Sequence, residues 1–134
     1  MSPMLLAAGA VAGTLATFTD WLFMGVLYHS HYERHPGTWW ASLREKGDSR
    51  AIVASSVVGY LPSFAVVLLC AFAHTHGIGA ALAVSLFAWL AGPLPLLVIN
   101  GFWIRIDPHV TFAHALGWLA RLALAGLAAG FVLR

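Results

Sequence analysis

Apolar residues occur along this chain in four long runs that are separated by short polar stretches. The runs cover residues 4–28, 51–73, 80–104 and 111–133, and each is long enough for a helix that crosses about 30 Å of hydrocarbon. No charged residue lies between Arg50 and Arg105. A single helix over that stretch would be about 80 Å long, so the chain has to turn back, and the glycine-containing segment 74–79 is the predicted turn.

This pattern predicts an all-α, polytopic membrane protein that forms one domain over residues 1–134. We expect an antiparallel bundle of four transmembrane helices, numbered here as spans 1 to 4. Span 3 contains Gly92-Pro93-Leu94-Pro95, and because proline lacks an N–H, the pattern predicts a kink there. Between spans 1 and 2, Thr38 is a predicted N-cap for a short interfacial helix over Trp39–Lys46 that ends at Gly47.

The composition supports a membrane protein and excludes several functional classes. Of the 134 residues, 60% are apolar and 9% are charged, whereas soluble domains carry about 25% charged residues. The single cysteine excludes an internal disulfide and a CxxC pair, and a net charge of +2 is too small for a nucleic-acid partner. Phosphate-binding, GxSxG and HExxH motifs are absent from the sequence. We therefore predict no catalytic residues, and the lipid bilayer is the expected partner.

Basic residues are concentrated in two of the connections between spans. Connections 29–50 and 105–110 contain five basic residues, whereas only Arg134 lies on the opposite side. Since cytoplasmic loops of membrane proteins are enriched in Lys and Arg, both connections are predicted to be cytoplasmic and both termini external. The expected location is the inner (plasma) membrane of the cell.

Two charged residues lie inside the predicted spans, where a charge costs roughly 2.5–3.5 kcal/mol on insertion scales. Counting residues from the cytoplasmic end places Asp20 about 12 Å deep and Arg121 about 15 Å deep, at nearly the same level as Tyr60. Gly9 and Gly13 share a helical face with Asp20, and such small residues let helices approach closely. The pattern therefore predicts that spans 1 and 4 pack together and that Asp20 contacts Arg121.

The polar residues of the spans form the predicted ligand site. Its members share this depth, a helical face with Tyr60 or Arg121, or the face of Pro93 at the kink, and they are Asp20, Ser56, Tyr60, Asn100, His114 and Arg121. Two interpretations stay open. In one, the charged pair only fixes helix packing, because membrane-interior charges generally pair with one another. In the other, the same groups line a cavity for an anionic or polar ligand, or a proton path.

Seven histidines occur in the chain, and most lie on the predicted cytoplasmic side. His31 and His35 are spaced to share a helical face, as a metal site requires, and Glu33 and Asp107 are potential oxygen ligands. Only His114 lies clearly inside a span, where it is a possible haem ligand. We predict no metal or cofactor, because no spacing in the sequence fixes a coordination geometry.

The segment Asp20–Tyr28 consists of an acidic residue followed by a run of aromatic residues and glycine that ends in tyrosine, and Trp39-Trp40 comes after it. This pattern resembles a group of small bacterial four-span membrane proteins with no assigned activity. The resemblance covers about the first 40 residues and the four-span layout. It implies a four-span fold in a bacterial inner membrane, and it implies no mechanism.

Three functional hypotheses remain. The first is a small-ligand binding or transport-like module with a polar intramembrane site around Asp20, Tyr60 and Arg121. The second is an accessory or structural subunit of a larger membrane complex. The third is a membrane enzyme that acts on a lipid-soluble substrate. A small-residue seam at Gly126 and Gly130 faces either span 3 or another subunit, and from it we predict a homo-oligomer.

Overall fold

The computed structural model describes residues 2–35, 37 and 49–134. These residues form helices and no β-strands. The helices are α1 (Pro3–Asp20), a π-helical segment (Trp21–Leu27), α2 (His29–Arg34), α3 (Ser49–Val58), α4 (Tyr60–Phe72), α5 (Gly77–Ala91), α6 (Pro93–Trp103) and α7 (Pro108–Val132). The predicted interfacial helix over Trp39–Lys46, with its capping residue Thr38, lies outside the described residues.

Four of the described helical segments are long and apolar enough to cross a membrane. They are Pro3–Leu27, Ser49–Phe72, Gly77–Trp103 and Pro108–Val132, which are spans 1 to 4. These bounds confirm the all-helical prediction and the four predicted spans, and each end lies within three residues of the predicted one. The connection between spans 2 and 3 is shorter than predicted, because α5 already begins at Gly77, whose φ of 78° is readily adopted only by glycine.

Span 4 contains more buried residues than any other span of the described chain, and the other spans pack around it. Ten of its residues are buried, whereas span 3 contributes only two, Ala81 and Ser85. Alanine and glycine predominate in the core, where Ala8 and Ala12 of span 1 belong to the same cluster as Ala125 of span 4. Because small side chains let helix backbones approach closely, this composition favours tight packing without a large aliphatic core.

The glycines of span 1 face aromatic side chains of span 2, whereas the sequence predicted them on the face toward span 4. Spans 1 and 4 nevertheless pack together, as predicted. A Cβ added at Gly9 would lie 2.4 Å from the ring of Phe64, and one added at Gly13 would lie 2.4 Å from the ring of Tyr60. Two aromatic side chains of span 2 therefore fill the space that the glycines leave. The spacing of the glycines indicated a close contact, but it could not specify the neighbouring helix.

The seam at Gly126 and Gly130 is covered by span 3 of the same chain. A Cβ at Gly126 would lie 2.2 Å from Ser85 Oγ, and one at Gly130 would lie 2.5 Å from the Cα of Ile78. Of the two predicted neighbours of this seam, span 3 is therefore the one that contacts it. The two glycines are consequently unavailable as an interface between copies of the chain. The homo-oligomer itself stays a prediction.

The helix of span 3 is divided in two beside the prolines, and the kink predicted there stays a prediction. α5 ends at Ala91, α6 begins at Pro93, and Gly92 between them has φ −122° and ψ −89°. The interruption follows from the two prolines, which cannot donate backbone hydrogen bonds to the preceding turn. Trp89, just before it, donates its indole N–H to the carbonyl of Ala115 in span 4 at 3.0 Å.

Candidate functional site

A cavity of about 900 Å³ lies beside span 1, α2 and the beginning of span 2. Its walls combine aromatic and aliphatic side chains with a small number of charged and hydroxyl groups. The lining residues are Thr17, Phe18, Asp20, Trp21, Met24, Gly25, His29, Tyr32, Glu33, Ile52, Ser55, Ser56 and Arg121. Phe18 and Trp21 are both exposed, so the cavity opens at the surface of the described helices.

Arg121 and Asp20 form an ion pair at one wall of this cavity. Arg121 Nη2 donates to Asp20 Oδ2, and Arg121 Nη1 donates to the backbone carbonyl of Gly59. The Arg121 guanidinium also lies over the indole ring of Trp118, 5.7 Å from its centroid. Arg121 is only 6% exposed, whereas the side chain of Asp20 is 33% exposed. Asp20 is therefore the more accessible member of the pair.

A break in span 2 positions the carbonyl that Arg121 binds. α3 ends at Val58 and α4 begins at Tyr60, and Pro62 has no N–H with which to bond the carbonyl of Val58. A side chain at Gly59 would collide with the guanidinium, since a Cβ there would lie 2.8 Å from Arg121 Nη1. The glycine thus allows the arginine to approach the backbone. This contact is not among those predicted from the sequence, in which the Gly59 and Pro62 pair is the available signal.

The π-helical segment begins directly after Asp20. Within it Tyr28 N–H donates to the carbonyl of Phe23, five residues earlier, at 3.0 Å. Trp21, Met24 and Gly25 from this segment all line the cavity. A π-helix has a wider turn than an α-helix, and it is found frequently at functional sites. No residue pattern in the sequence predicted it.

Tyr32 connects the cavity wall to the predicted site residue His114. The Tyr32 hydroxyl lies 2.9 Å from His114 Nε2 and 2.7 Å from the sulfur of Met24. Burial raises the pKa of Tyr32 to about 12, so the phenol stays protonated. His114 is thus joined to the wall through the Tyr32 hydroxyl and is not itself among the lining residues.

Two further groups of the cavity lie on α2 and were not predicted as ligand-site residues. His29 Nε2 lies 3.5 Å from Glu33 Oε1, one helical turn away, and both side chains are largely exposed. Glu33 adds a second carboxylate to that of Asp20. From the sequence, Glu33 is expected only as a potential metal ligand, because its position in a predicted loop gives no indication of a cavity beside it.

The structure brings together only part of the predicted ligand site. Asp20, Ser56 and Arg121 line the cavity, whereas Tyr60 and Asn100 do not. The Tyr60 hydroxyl lies 3.0 Å from Thr14 Oγ1, so this side chain joins span 2 to span 1. Tyr60 and Asn100 thus lie outside the lining of this cavity, because equal depth and a shared face do not determine the direction in which a helix presents a side chain. Their role as ligand-binding residues stays a prediction.

A separate polar cluster surrounds Asp107, the residue before span 4. Asp107 Oδ1 accepts from the backbone N–H of His109 at 2.6 Å and of Val110 at 3.4 Å, which makes it the N-cap of α7. The side chains of His31, His35 and His109 all point a ring nitrogen at its carboxylate. Desolvation raises the pKa of Asp107, but the two backbone N–H groups and the nearby imidazoles of His35 and His109 outweigh it, so the pKa is lowered overall.

Comparisons with protein-family models, with curated proteins and with solved structures found no match for this chain.

Proposed function

We propose that this protein is a small-ligand binding or transport-like module of a bacterial inner membrane, and that its ligand occupies the cavity beside Asp20 and Arg121. In this proposal the four spans form an antiparallel bundle. The contacts of Gly9 with Phe64 and of Gly13 with Tyr60 support opposite directions for spans 1 and 2. Gly77 N–H donates to the carbonyl of Leu133 at 2.8 Å, and this hydrogen bond between the start of span 3 and the end of span 4 supports opposite directions for those two spans.

The observation that carries the proposal is the combination of volume and lining in this cavity. Pockets for small molecules have volumes of about 300–1,000 Å³ and are mainly apolar with a few polar groups, and a volume of about 900 Å³ fits that range. Phe18, Trp21 and Ile52 provide apolar walls, whereas the pair of Asp20 and Arg121 provides polar groups at one side. A molecule with an apolar body and a polar head matches both.

The charges of the lining favour a cationic or neutral head over an anionic one. Asp20 and Arg121 neutralise each other, and Arg121 already uses both of its terminal nitrogens within the protein. Glu33 leaves one carboxylate in excess when His29 is neutral. Trp21, in the same wall, offers an aromatic face that attracts cations. We infer that the ligand is an amphipathic amine or a neutral molecule with hydrogen-bond donors.

Binding is tested with two hydrophobic ions of similar size and opposite charge. The purified full-length chain in lipid nanodiscs is dialysed against tetraphenylphosphonium or tetraphenylborate, with protein-free nanodiscs as the blank. We expect saturable binding of the cation and no saturable binding of the anion. Organic extraction of freshly purified protein, followed by mass spectrometry, is expected to reveal a retained amphipathic molecule.

Two adjacent positions of span 2 provide matched variants for this experiment. Ser56→Phe fills the cavity, since Ser56 lines it, whereas Val57→Phe adds a ring at an exposed position outside it. We expect Ser56→Phe to abolish cation binding and Val57→Phe to retain it. Equal binding by both variants, or no binding and no retained molecule in the unmodified chain, would contradict the proposal. The latter result would favour the accessory-subunit hypothesis.

A further inference from the structure

The histidine and aspartate cluster at the entrance to span 4 has the composition of a metal site. The potential ligand atoms of His31, Asp107 and His109 all lie within 4.8 Å of one another. Nδ1 of His109 lies 3.2 Å from Asp107 Oδ1, and Nδ1 of His31 lies 3.7 Å from the same oxygen. Three groups from two distant parts of the chain thus converge on one point.

The geometry of the three groups needs only a small contraction to hold a cation. Zn²⁺ binds imidazole nitrogen at about 2.0–2.1 Å, which separates tetrahedral ligand atoms by about 3.3 Å. The rings of His31 and His109 are stacked, with centroids 4.4 Å apart and an angle of 20° between planes. The side chain of His109 is 65% exposed, so rotation of this ring meets little resistance.

The surroundings of Asp107 hold its carboxylate in place, as groups around a metal ligand commonly do. The backbone N–H groups of His109 and Val110 donate to Oδ1 and orient it. A further imidazole stands beside the other carboxylate oxygen, because His35 Nδ1 lies 3.4 Å from Oδ2. The same nitrogen lies 3.0 Å from the backbone carbonyl of His31, so His35 would have to leave that contact to act as a fourth ligand.

We propose that His31, Asp107 and His109 bind one divalent transition-metal ion such as Zn²⁺, with His35 or water as the fourth ligand. Two imidazoles and one carboxylate suit Zn²⁺, Co²⁺, Ni²⁺ or Cu²⁺, whereas Mg²⁺ and Ca²⁺ prefer oxygen ligands alone. A bound ion connects the short helix α2 to the beginning of span 4. Because Glu33 and His29 on α2 line the cavity, the ion also fixes one wall of that cavity.

The proposal is tested on the full-length chain without a polyhistidine tag. After EDTA treatment and dialysis in detergent, Zn²⁺ is titrated by calorimetry and Co²⁺ by visible absorption. We expect one equivalent of Zn²⁺ per chain with a dissociation constant of about 10 μM or lower, no competition by Mg²⁺, and an intense four-coordinate absorption band with Co²⁺. Failure of the unmodified chain to bind one equivalent would overturn the proposal without any variant.

Single substitutions assign the ligands. His31→Gln and His109→Gln are each expected to weaken Zn²⁺ binding about tenfold or more, because loss of a ligand costs at least as much as loss of a supporting residue. His29→Gln lies on the same short helix but outside the cluster and is expected to bind as the unmodified chain does. Equal affinities in all three variants would assign the binding to other surface groups. Thermal unfolding without metal shows whether a variant is folded. If a variant is not folded, the Co²⁺ spectrum of the unmodified chain decides whether a four-coordinate site is present.

Discussion

Removal of Asp20 is expected to destabilise the protein more than removal of Arg121, although the two residues form one ion pair. In Asp20→Asn, the guanidinium of Arg121 keeps its charge, since arginine is not deprotonated in proteins. Its side chain is only 7% exposed, so water compensates little of the lost charge. In Arg121→Gln, the carboxylate of Asp20 is left beside the cavity, where it can be hydrated or take up a proton.

The magnitudes follow from these exposures. Breaking a buried ion pair by removing one partner costs about 3–5 kcal/mol, and insertion scales give about 2.5–3.5 kcal/mol for an arginine at the centre of a span. We therefore expect Asp20→Asn to cost about 3 kcal/mol. Arg121→Gln leaves a partly hydrated carboxylate and weakens the bond to the Gly59 carbonyl, for which we expect about 1–2 kcal/mol. In the double variant no charge remains, so it should be more stable than Asp20→Asn alone.

The assay is reversible unfolding of the purified chain in mixed micelles by sodium dodecyl sulfate, followed by circular dichroism. The four proteins of the double-mutant cycle give the coupling free energy, expected at about 1–3 kcal/mol. Thr19→Val serves as the control, because Thr19 is half-buried next to Asp20 and its hydroxyl donates only within its own helix, to the carbonyl of Ala16. Additive losses of unfolding free energy in the double variant would contradict the coupling of Asp20 and Arg121. A larger loss for Arg121→Gln than for Asp20→Asn would contradict the expected order of the two single variants.

Two further predictions concern packing and topology. Gly126→Leu should prevent span 3 from packing on span 4 and should strongly lower the stability to detergent unfolding, because a Cβ at Gly126 would collide with Ser85 Oγ. Gly79→Leu is the control and should be tolerated, since the space around Gly79 is open. Equal stability of the two variants would contradict the packing of span 3 on span 4. Topology is tested with an impermeant maleimide on single-cysteine chains in which the native cysteine is replaced by serine. His76→Cys should be labelled only from the external side, and Arg105→Cys only from the cytoplasmic side. Labelling of both positions from both sides would indicate dual insertion.

The four spans could be predicted from the sequence alone, because each depends on a local run of apolar residues and on the length needed to cross a bilayer. The sequence also indicated the interruption at Gly92, since the effect of proline on a helix is local. The equal depth of Asp20 and Arg121 could be counted along each helix, and their contact in the structure agrees with that count.

Other contacts between groups on different helices could not be predicted in this way, because they depend on how the helices pack. The rotation of each helix, and the widened turn after Asp20, determine that Gly13 contacts Tyr60 and that Tyr60 is turned away from the cavity. The contact of Arg121 with the carbonyl of Gly59 also depends on the tertiary structure, because the Gly59 and Pro62 pair indicates a break in span 2 but not the group that binds there. His109 joins His31 because two connections distant in sequence end at the same level. Helical periodicity determines faces within one helix, whereas the pairing of faces depends on the fit of all four helices together.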